Sequence, residues 1–239
     1  MKRIIIMVFR NIFFVPWWTI QLLWYAREKD QHTEEQKYAL LKKIVRGANK
    51  GGKVTIQSDG QENIPRENGF IMYPNHQGMY DVLSLIESCE KPISVVMKKE
   101  VRNVPLISQV RRIMQAEVMD RADVRQSLQV IINVTKKVLN GKNFVIFPEG
   151  TRSRKGNQLL EFKSGSFKAA VKAKAPIVPV ALINSFLPFD SHSVKPVTVQ
   201  VHFLPPLYYQ EYKDMKTVEI ASIVKERIEN KIAECLQDE

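Results

Sequence analysis

Cysteine is nearly absent from this chain of 239 residues: Cys89 and Cys235 stand far apart, without CxxC spacing. With only four scattered histidines, that excludes a zinc signature and a disulfide framework and leaves no expected metal site; a reducing, cytosolic setting is the simplest reading. Acid is short as well. The 25 Asp and Glu face 36 Lys and Arg, a net charge of +11. Such a surplus favours anionic partners: nucleic acid, acidic lipid headgroups or phosphorylated substrates. No recognised nucleic-acid motif or aromatic-basic platform accompanies the charge, so nucleic acid is not expected. There is no internal repeat and no low-complexity tract. What remains, 44% hydrophobic and 26% charged residues, suffices for one good-sized core, or for one domain with an accessory segment.

An uninterrupted membrane span is also missing. Residues 4–26 are almost all apolar or aromatic and would make a helix roughly 35 Å long. Arg10, Asn11, Pro16 and Gln21 interrupt it, however, and Pro16 is expected to kink it. Trp17, Trp18, Trp24 and Tyr25 suit a headgroup boundary, where an apolar ring keeps a polar edge wet. A cleaved signal peptide lacks its small-x-small site, since the first alanine is Ala26. A buried core helix is the other plain alternative. The pattern favours an uncleaved anchor, lying in one leaflet rather than spanning it, because a span would put Arg10 deep in hydrocarbon. The active side is then expected to face the cytoplasm. A second helix follows in "TEEQKYALLKKIVRGANKGG", opened by a Thr33/Gln36 capping box and stopped by Gly51-Gly52. Its lysines and arginines make either a solvated basic face or a contact for anionic lipid. Residues 1–52 are therefore read as a membrane-anchoring helical motif and 53–239 as the main domain.

After Gly52 the period changes. "KVTIQS" (53–58), "GFIMYP" (69–74), "ISVVMKK" (93–99), "AEVMD" (116–120), "NFVIFP" (143–148), "PIVPVALI" (176–183) and "VTVQVHF" (197–203) read as strands. Helices are expected at 81–89, 123–141, 164–175 (with Ser164 as its cap) and roughly 215–236. Alternation of this kind predicts an α/β fold: a central mixed, partly parallel sheet flanked by helices. Ligands of such sheets bind beyond the carboxyl ends of strands. Two strand ends carry polar, turn-forming residues: Asn75-His76 after "FIMYP", and Glu149-Gly150-Thr151-Arg152 after "FVIFP".

His76 and Asp81 are five residues apart. On one helix they would diverge by about 140°. They meet only if His76 precedes a helix and Asp81 sits in its first turn. Pro74 ends the strand, Gly78 permits a tight turn and Val82 opens the helical pattern, which fits. Asp81 would then fix the imidazole tautomer, and the other ring nitrogen would take a proton from a substrate hydroxyl. A loop histidine bonded to backbone explains the spacing equally well. In the second block, Arg152 offers a planar fork for phosphate and Gly150 lets backbone N–H groups approach an anion. Arg154, Lys155 and Lys163 add positive potential; a basic surface loop is the bland reading. No serine or cysteine stands beside His76 in a nucleophile-elbow context, so a covalent acyl-enzyme is not indicated.

"NHQGMYD" (75–81), "KKEVRNVPLISQVRRIMQAEVMDR" (98–121), "FPEGTRS" (147–153) and "APIVPVAL" (175–182), in this order, resemble the glycerolipid acyltransferase family. The most similar branch is that of the bacterial 1-acyl-sn-glycerol-3-phosphate (lysophosphatidic acid) acyltransferases. The match covers about residues 53–205. The resemblance implies that His76, oriented by Asp81, deprotonates the 2-hydroxyl of lysophosphatidate. The alkoxide then attacks an acyl-CoA or acyl carrier protein thioester, giving phosphatidate with no further cofactor. It implies that Glu149, Gly150, Thr151 and Arg152 hold the glycerol phosphate, with Arg121 and Lys99 as further phosphate contacts. Val178, Pro179 and Val180 would line the acyl side. It also implies an N-terminal two-helix membrane motif and anionic membrane lipids as partners. Many family members carry serine where Gly78 stands, so support for the dyad from that position must come from backbone or water. The alternatives are an acyltransferase for glycerol-3-phosphate or another lysophospholipid, and a non-catalytic lipid-binding membrane protein.

Overall fold

The computed structural model describes residues 2–27, 31–120 and 122–237. In chain order the elements are α1 (Lys2–Arg10), α2 (Val15–Arg27), α3 (Glu34–Gly52), β1 (Val54–Asp59), β2 (Ile71–Pro74), α4 (Asp81–Ser88), β3 (Ser94–Lys98), α5 (Ile107–Ile113), β4 (Glu117–Met119), α6 (Val124–Leu139), β5 (Phe144–Val145), α7 (Lys168–Ala173), β6 (Ile177–Ile183), α8 (Leu187–Asp190), β7 (Val197–Phe203), α9 (Tyr209–Tyr212) and α10 (Thr217–Gln237). The strands form one seven-stranded sheet in the order β1-β7-β6-β2-β5-β3-β4. Only the β6–β7 pair is antiparallel. The expected mixed, partly parallel sheet between helices is thus what the chain forms.

The apolar runs fill two layers, one on each face of the sheet. Met72, Val95, Val145, Val178 and Val180 pack with α2, α3 and α4 through Leu22, Tyr38, Leu41, Val45 and Leu85. Ile71, Tyr73, Phe144, Ile177 and Ala181 pack on the other side with α6, α7 and α10. Adjacent residues of a strand point to opposite faces, so strands that are apolar throughout serve both layers. Pro179 sits inside the central strand without a lost ladder bond. The extra residue between the Ile177–Leu207 bridge and the Val180–Phe203 pair makes a bulge there, a position where proline is tolerated.

α3 begins with the expected capping box: the Thr33 side chain accepts from the Gln36 N–H, and the Gln36 side chain accepts from the Thr33 N–H at 2.9 Å. Its small residues seat the two preceding helices. A Cβ at Gly47 would lie 2.4 Å from the Trp18 ring, one at Gly51 2.4 Å from Asn11, and one at Gly52 2.3 Å from Met7. Arg10 is exposed but tethered: it donates to the Gly51 carbonyl at 3.0 Å, while buried Arg3 donates to the carbonyls of Gly52, Ser193 and Lys195. These cations satisfy orphan carbonyls at the carboxyl end of α3, where positive charge is favoured. The break between α1 and α2 bends the pair by 96° and falls at residues 11–14. It is not at Pro16, which lies in the first turn of α2, where a missing N–H costs nothing. Among the described residues no single helix is long and apolar enough to cross a membrane. The face turned away from α3 exposes Ile5, Phe9, Phe13, Trp17 and Ile20. Ser164 is not a helix cap. It opens a 3-10 turn, Ser164–Phe167, which runs into α7.

Candidate active site

The loop between β2 and α4 carries residues 75–80 across the carboxyl end of the sheet. It is held from three sides. The Asn75 side chain donates to the Leu182 carbonyl at 3.0 Å and accepts from the Leu182 N–H at 2.7 Å. Gln77 accepts from the Ser185 N–H at 2.8 Å and donates to Asn157 at 2.8 Å. Asn157 in turn accepts from the Asn184 N–H at 2.9 Å. Glu149, after β5, accepts from the His76 N–H at 2.7 Å and, through its other oxygen, from the Leu160 N–H at 3.0 Å.

Within this frame His76 precedes α4 and Asp81 is its first residue. Asp81 is wholly buried. Its carboxylate meets His76 Nδ1 at 2.7 Å and accepts from the N–H groups of Gln77, at 2.7 Å, and Gly78, at 3.1 Å. All three donors converge on it at the N-terminus of α4. Paired with a carboxylate, Nδ1 carries the ring proton, and the ring's lone pair stands on Nε2. Nε2 makes no hydrogen bond among the described residues, and the imidazole is partly exposed.

The place of a side chain at residue 78 is already filled. A Cβ on Gly78 would lie 2.6 Å from Asp190 Oδ2 and 2.9 Å from the Phe186 Cα. The α8 segment stands there, and residue 78 supports Asp81 through its backbone N–H. Asp190 Oδ2 accepts from the Met79 N–H at 3.0 Å, and its Oδ1 pairs with Arg152 at 3.1 Å.

Glu149, expected to hold the acceptor's glycerol phosphate, is buried, and each of its oxygens accepts from a backbone N–H. It is a clamp on the His76 loop. Burial outweighs the two N–H bonds and pushes its carboxyl up to about 7 from an ordinary 4.5. The raised value means the folded state binds the proton more tightly. Its contribution to stability is full below pH 4.5 and is lost as the pH rises through 7. Relative to Glu149→Gln, the unfolding free energy of the wild type should fall by about 2–3 kcal/mol between pH 5 and pH 8, measured by denaturant titration. Parallel pH profiles would contradict the assignment.

The other expected residues are placed as follows. Gly150 adopts a left-handed φ of 71° and Thr151 is exposed; a Cβ on Gly150 would meet Lys163 Nζ at 3.0 Å. Arg152 lies on the His76 side, held by Asp190. Lys99 follows β3 near the edge of the sheet and pairs with Asp120. Arg121 lies outside the described residues. Val178, Pro179 and Val180, expected on the acyl side, are buried in β6 and do not border the apolar cavity behind Val96 and Ile146. Val178 and Val180 pack on the sheet face opposite the apolar cavity. That cavity, of about 260 Å³, runs between the sheet and α6–α7 behind Val96, Val130, Val134, Ile146, Phe147 and Ala169. Gly150 and Lys163 also border it. Phe147 stacks on the His76 ring at 4.1 Å, so one aromatic ring separates the base from the apolar space. Among the described residues no cluster of His, Cys, Asp and Glu is arranged to hold a metal ion.

A His–Asp pair at the carboxyl end of a mixed sheet, beside an arginine and an apolar cavity, is the arrangement of an enzyme that acts on an amphiphile. The model of the family described as "Acyltransferase" matches residues 55–183, and the chain belongs to that family. It is 33% identical over 167 residues to the 1-acyl-sn-glycerol-3-phosphate acyltransferase of Salmonella typhimurium, covering 69% of this chain and 67% of that one. It is 28% identical over 181 residues to the enzyme of the same name from Borreliella burgdorferi, covering 75% and 72%. The crystal structure of the 1-acyl-sn-glycerophosphate acyltransferase of Thermotoga maritima superposes with a TM-score of 0.80. At 20% identity it covers 98% of this chain and 96% of that one, and the two share the fold.

Sequence reasoning missed Asn75, Gln77, Phe147, Asn157, Asn184 and Asp190 as parts of the site. Asn75 and Gln77 flank His76, and Asn184 has a left-handed φ of 60°, a conformation asparagine tolerates better than most residues. Those were the available signals. Asp190 carried none.

Proposed function

We propose that this acyltransferase moves a fatty acyl group from an acyl-CoA or acyl carrier protein thioester to the 2-hydroxyl of 1-acyl-sn-glycerol-3-phosphate, producing phosphatidate. The observation that carries the reading is the 2.7 Å His76–Asp81 bond, with Nε2 left open beside an apolar cavity. In this reading Nε2 takes the hydroxyl proton as the alkoxide oxygen attacks the thioester carbon. The carbon–sulfur bond breaks, and the leaving thiolate recovers the proton from the imidazolium, so the enzyme returns unchanged. Arg152 holds the acceptor phosphate, and the Gly150–Thr151 backbone approaches it. The cavity behind Phe147 takes an acyl chain in place of the Val178–Val180 strand.

The exposed apolar face of α1 and α2 lies in one leaflet, at the surface of a membrane carrying anionic lipid, and the site opens to the cytoplasm. Because α2 buries Leu22 and Ala26 in a core layer of the sheet and α1 packs Met7 against Val54 and Val199, the 1–52 motif and the 53–239 domain move as one piece relative to the bilayer. Names of relatives sharing up to a third of their residues support the acceptor, since the matched enzymes are named for that substrate. Initial rates with a panel of acceptors test it. Turnover should be highest with 1-acyl-sn-glycerol-3-phosphate and at least tenfold lower with glycerol-3-phosphate or lysophosphatidylcholine. Preference for either of the latter would replace the acceptor.

A further inference from the structure

We infer that Asp190 is a positioning residue for acceptor binding: it holds one corner of the Arg152 guanidinium and ties it to the loop that carries His76. This deepens the proposed function and rests on it. Asp190 closes α8 and uses both oxygens. Oδ1 takes Arg152 Nη1 at 3.1 Å, and Oδ2 takes the Met79 N–H, three residues beyond His76, at 3.0 Å. One carboxylate thus bridges an arginine from the loop after β5 and the backbone of the loop after β2. Arg152 Nε and Nη2 make no hydrogen bond among the described residues, so the opposite edge of the fork stays open for two parallel bonds to phosphate.

Gly78 is what admits this bridge. Any side chain there would collide with Asp190 Oδ2 and with the Phe186 backbone. The α8 segment is itself fixed to the same loop through Gln77 and Asn157, so Asp190 is not a freely rotating surface acid. Its two bonds set the distance between the phosphate-holding group and the base. Without it, Arg152 is a part-exposed side chain on a loop that begins at a left-handed glycine, and must be ordered at each binding event.

The test is steady-state transfer from an acyl-CoA to 1-acyl-sn-glycerol-3-phosphate by the full chain in detergent, with five proteins compared: wild type, Asp190→Asn, Asp190→Ala, Arg152→Ala and the double variant of Asp190→Asn with Arg152→Ala. Asparagine can still accept from Met79 but no longer pairs with a cation. Asp190→Asn should raise the acceptor KM about 5- to 20-fold and leave kcat within about twofold. The double variant should be no worse than Arg152→Ala alone, because Asp190 acts through Arg152. Asp190→Ala, which drops the Met79 bond as well, should lower kcat too. An unchanged or lowered KM in Asp190→Asn overturns the inference, the latter showing a carboxylate that competes with phosphate. Losses that multiply in the double variant also overturn it. A wild type that transfers nothing to this acceptor strikes the function itself; a normal wild type with a silent Asp190→Asn strikes only the positioning role.

Discussion

Replacing His76 with alanine should lower kcat for acyl transfer by about 10²–10⁴-fold, the range lost when a positioned base is removed. The side chain is part-exposed, packs on Phe147 and bonds only Asp81, so the fold barely depends on it. The backbone contacts that fix the loop, from His76 N–H to Glu149 and from Ser153 N–H to the His76 carbonyl, survive the substitution. The melting temperature should therefore move by a few degrees at most while turnover collapses, and the acceptor KM should change little. Activity and thermal unfolding measured on the same preparation separate the two quantities. A variant with near-normal turnover would remove His76 from the chemistry.

Asp81→Asn should be as damaging to turnover and, unlike His76→Ala, should also weaken the fold. The wild-type carboxylate accepts from three N–H groups: imidazole Nδ1, Gln77 and Gly78. An asparagine has one oxygen and one NH2. Oδ2 takes both Nδ1 and the Gln77 N–H, and the Gly78 N–H lies 3.1 Å from both oxygens. If the NH2 takes the Oδ2 place, it donates to Nδ1, forces the ring proton onto Nε2, which removes the base, and leaves the buried Gln77 N–H unpaired, at a cost of about 1–3 kcal/mol. If the oxygen takes that place, Nδ1 keeps its partner, but the NH2 faces the Gly78 N–H and the imidazolium loses the negative charge beside it. Either arrangement lowers kcat by about 10²–10⁴-fold, the scale expected when a dyad's orienting acid is lost. Turnover and denaturant unfolding of the purified variant check both halves. A fully active, fully stable Asp81→Asn would show that the 2.7 Å contact is incidental.

The fold was largely legible from periodicity, because strand and helix patterns depend on near neighbours. Six of the seven strands fall within the expected runs and β1 overruns its run by one residue, Asp59, while the Thr33 cap follows from Thr33 and Gln36, three apart. Short pieces without a period, α5, α8 and α9, were not legible. The dyad could be anticipated since Pro74, Gly78 and Val82 dictate where the helix must start. The clamp made by Glu149 was not legible, because its partners are the backbone N–H groups of His76 and Leu160, and backbone donors leave no mark in sequence. Which face of β6 borders the cavity was not legible, because a wholly apolar strand carries no mark of it. Asp190 lies 38 residues from Arg152 and 111 from Met79, and only the folded loops bring the three together.

The central claim is that this chain esterifies the 2-hydroxyl of 1-acyl-sn-glycerol-3-phosphate directly from a thioester. Its most direct test supplies the purified full chain, in detergent, with that acceptor and a carbon-13-labelled acyl-CoA or acyl carrier protein thioester, and locates the label in the product by tandem mass spectrometry. The account predicts phosphatidate with the labelled chain at position 2 and release of free thiol in equal amount. Label recovered only as free fatty acid, or no labelled phosphatidate with either donor, would contradict it.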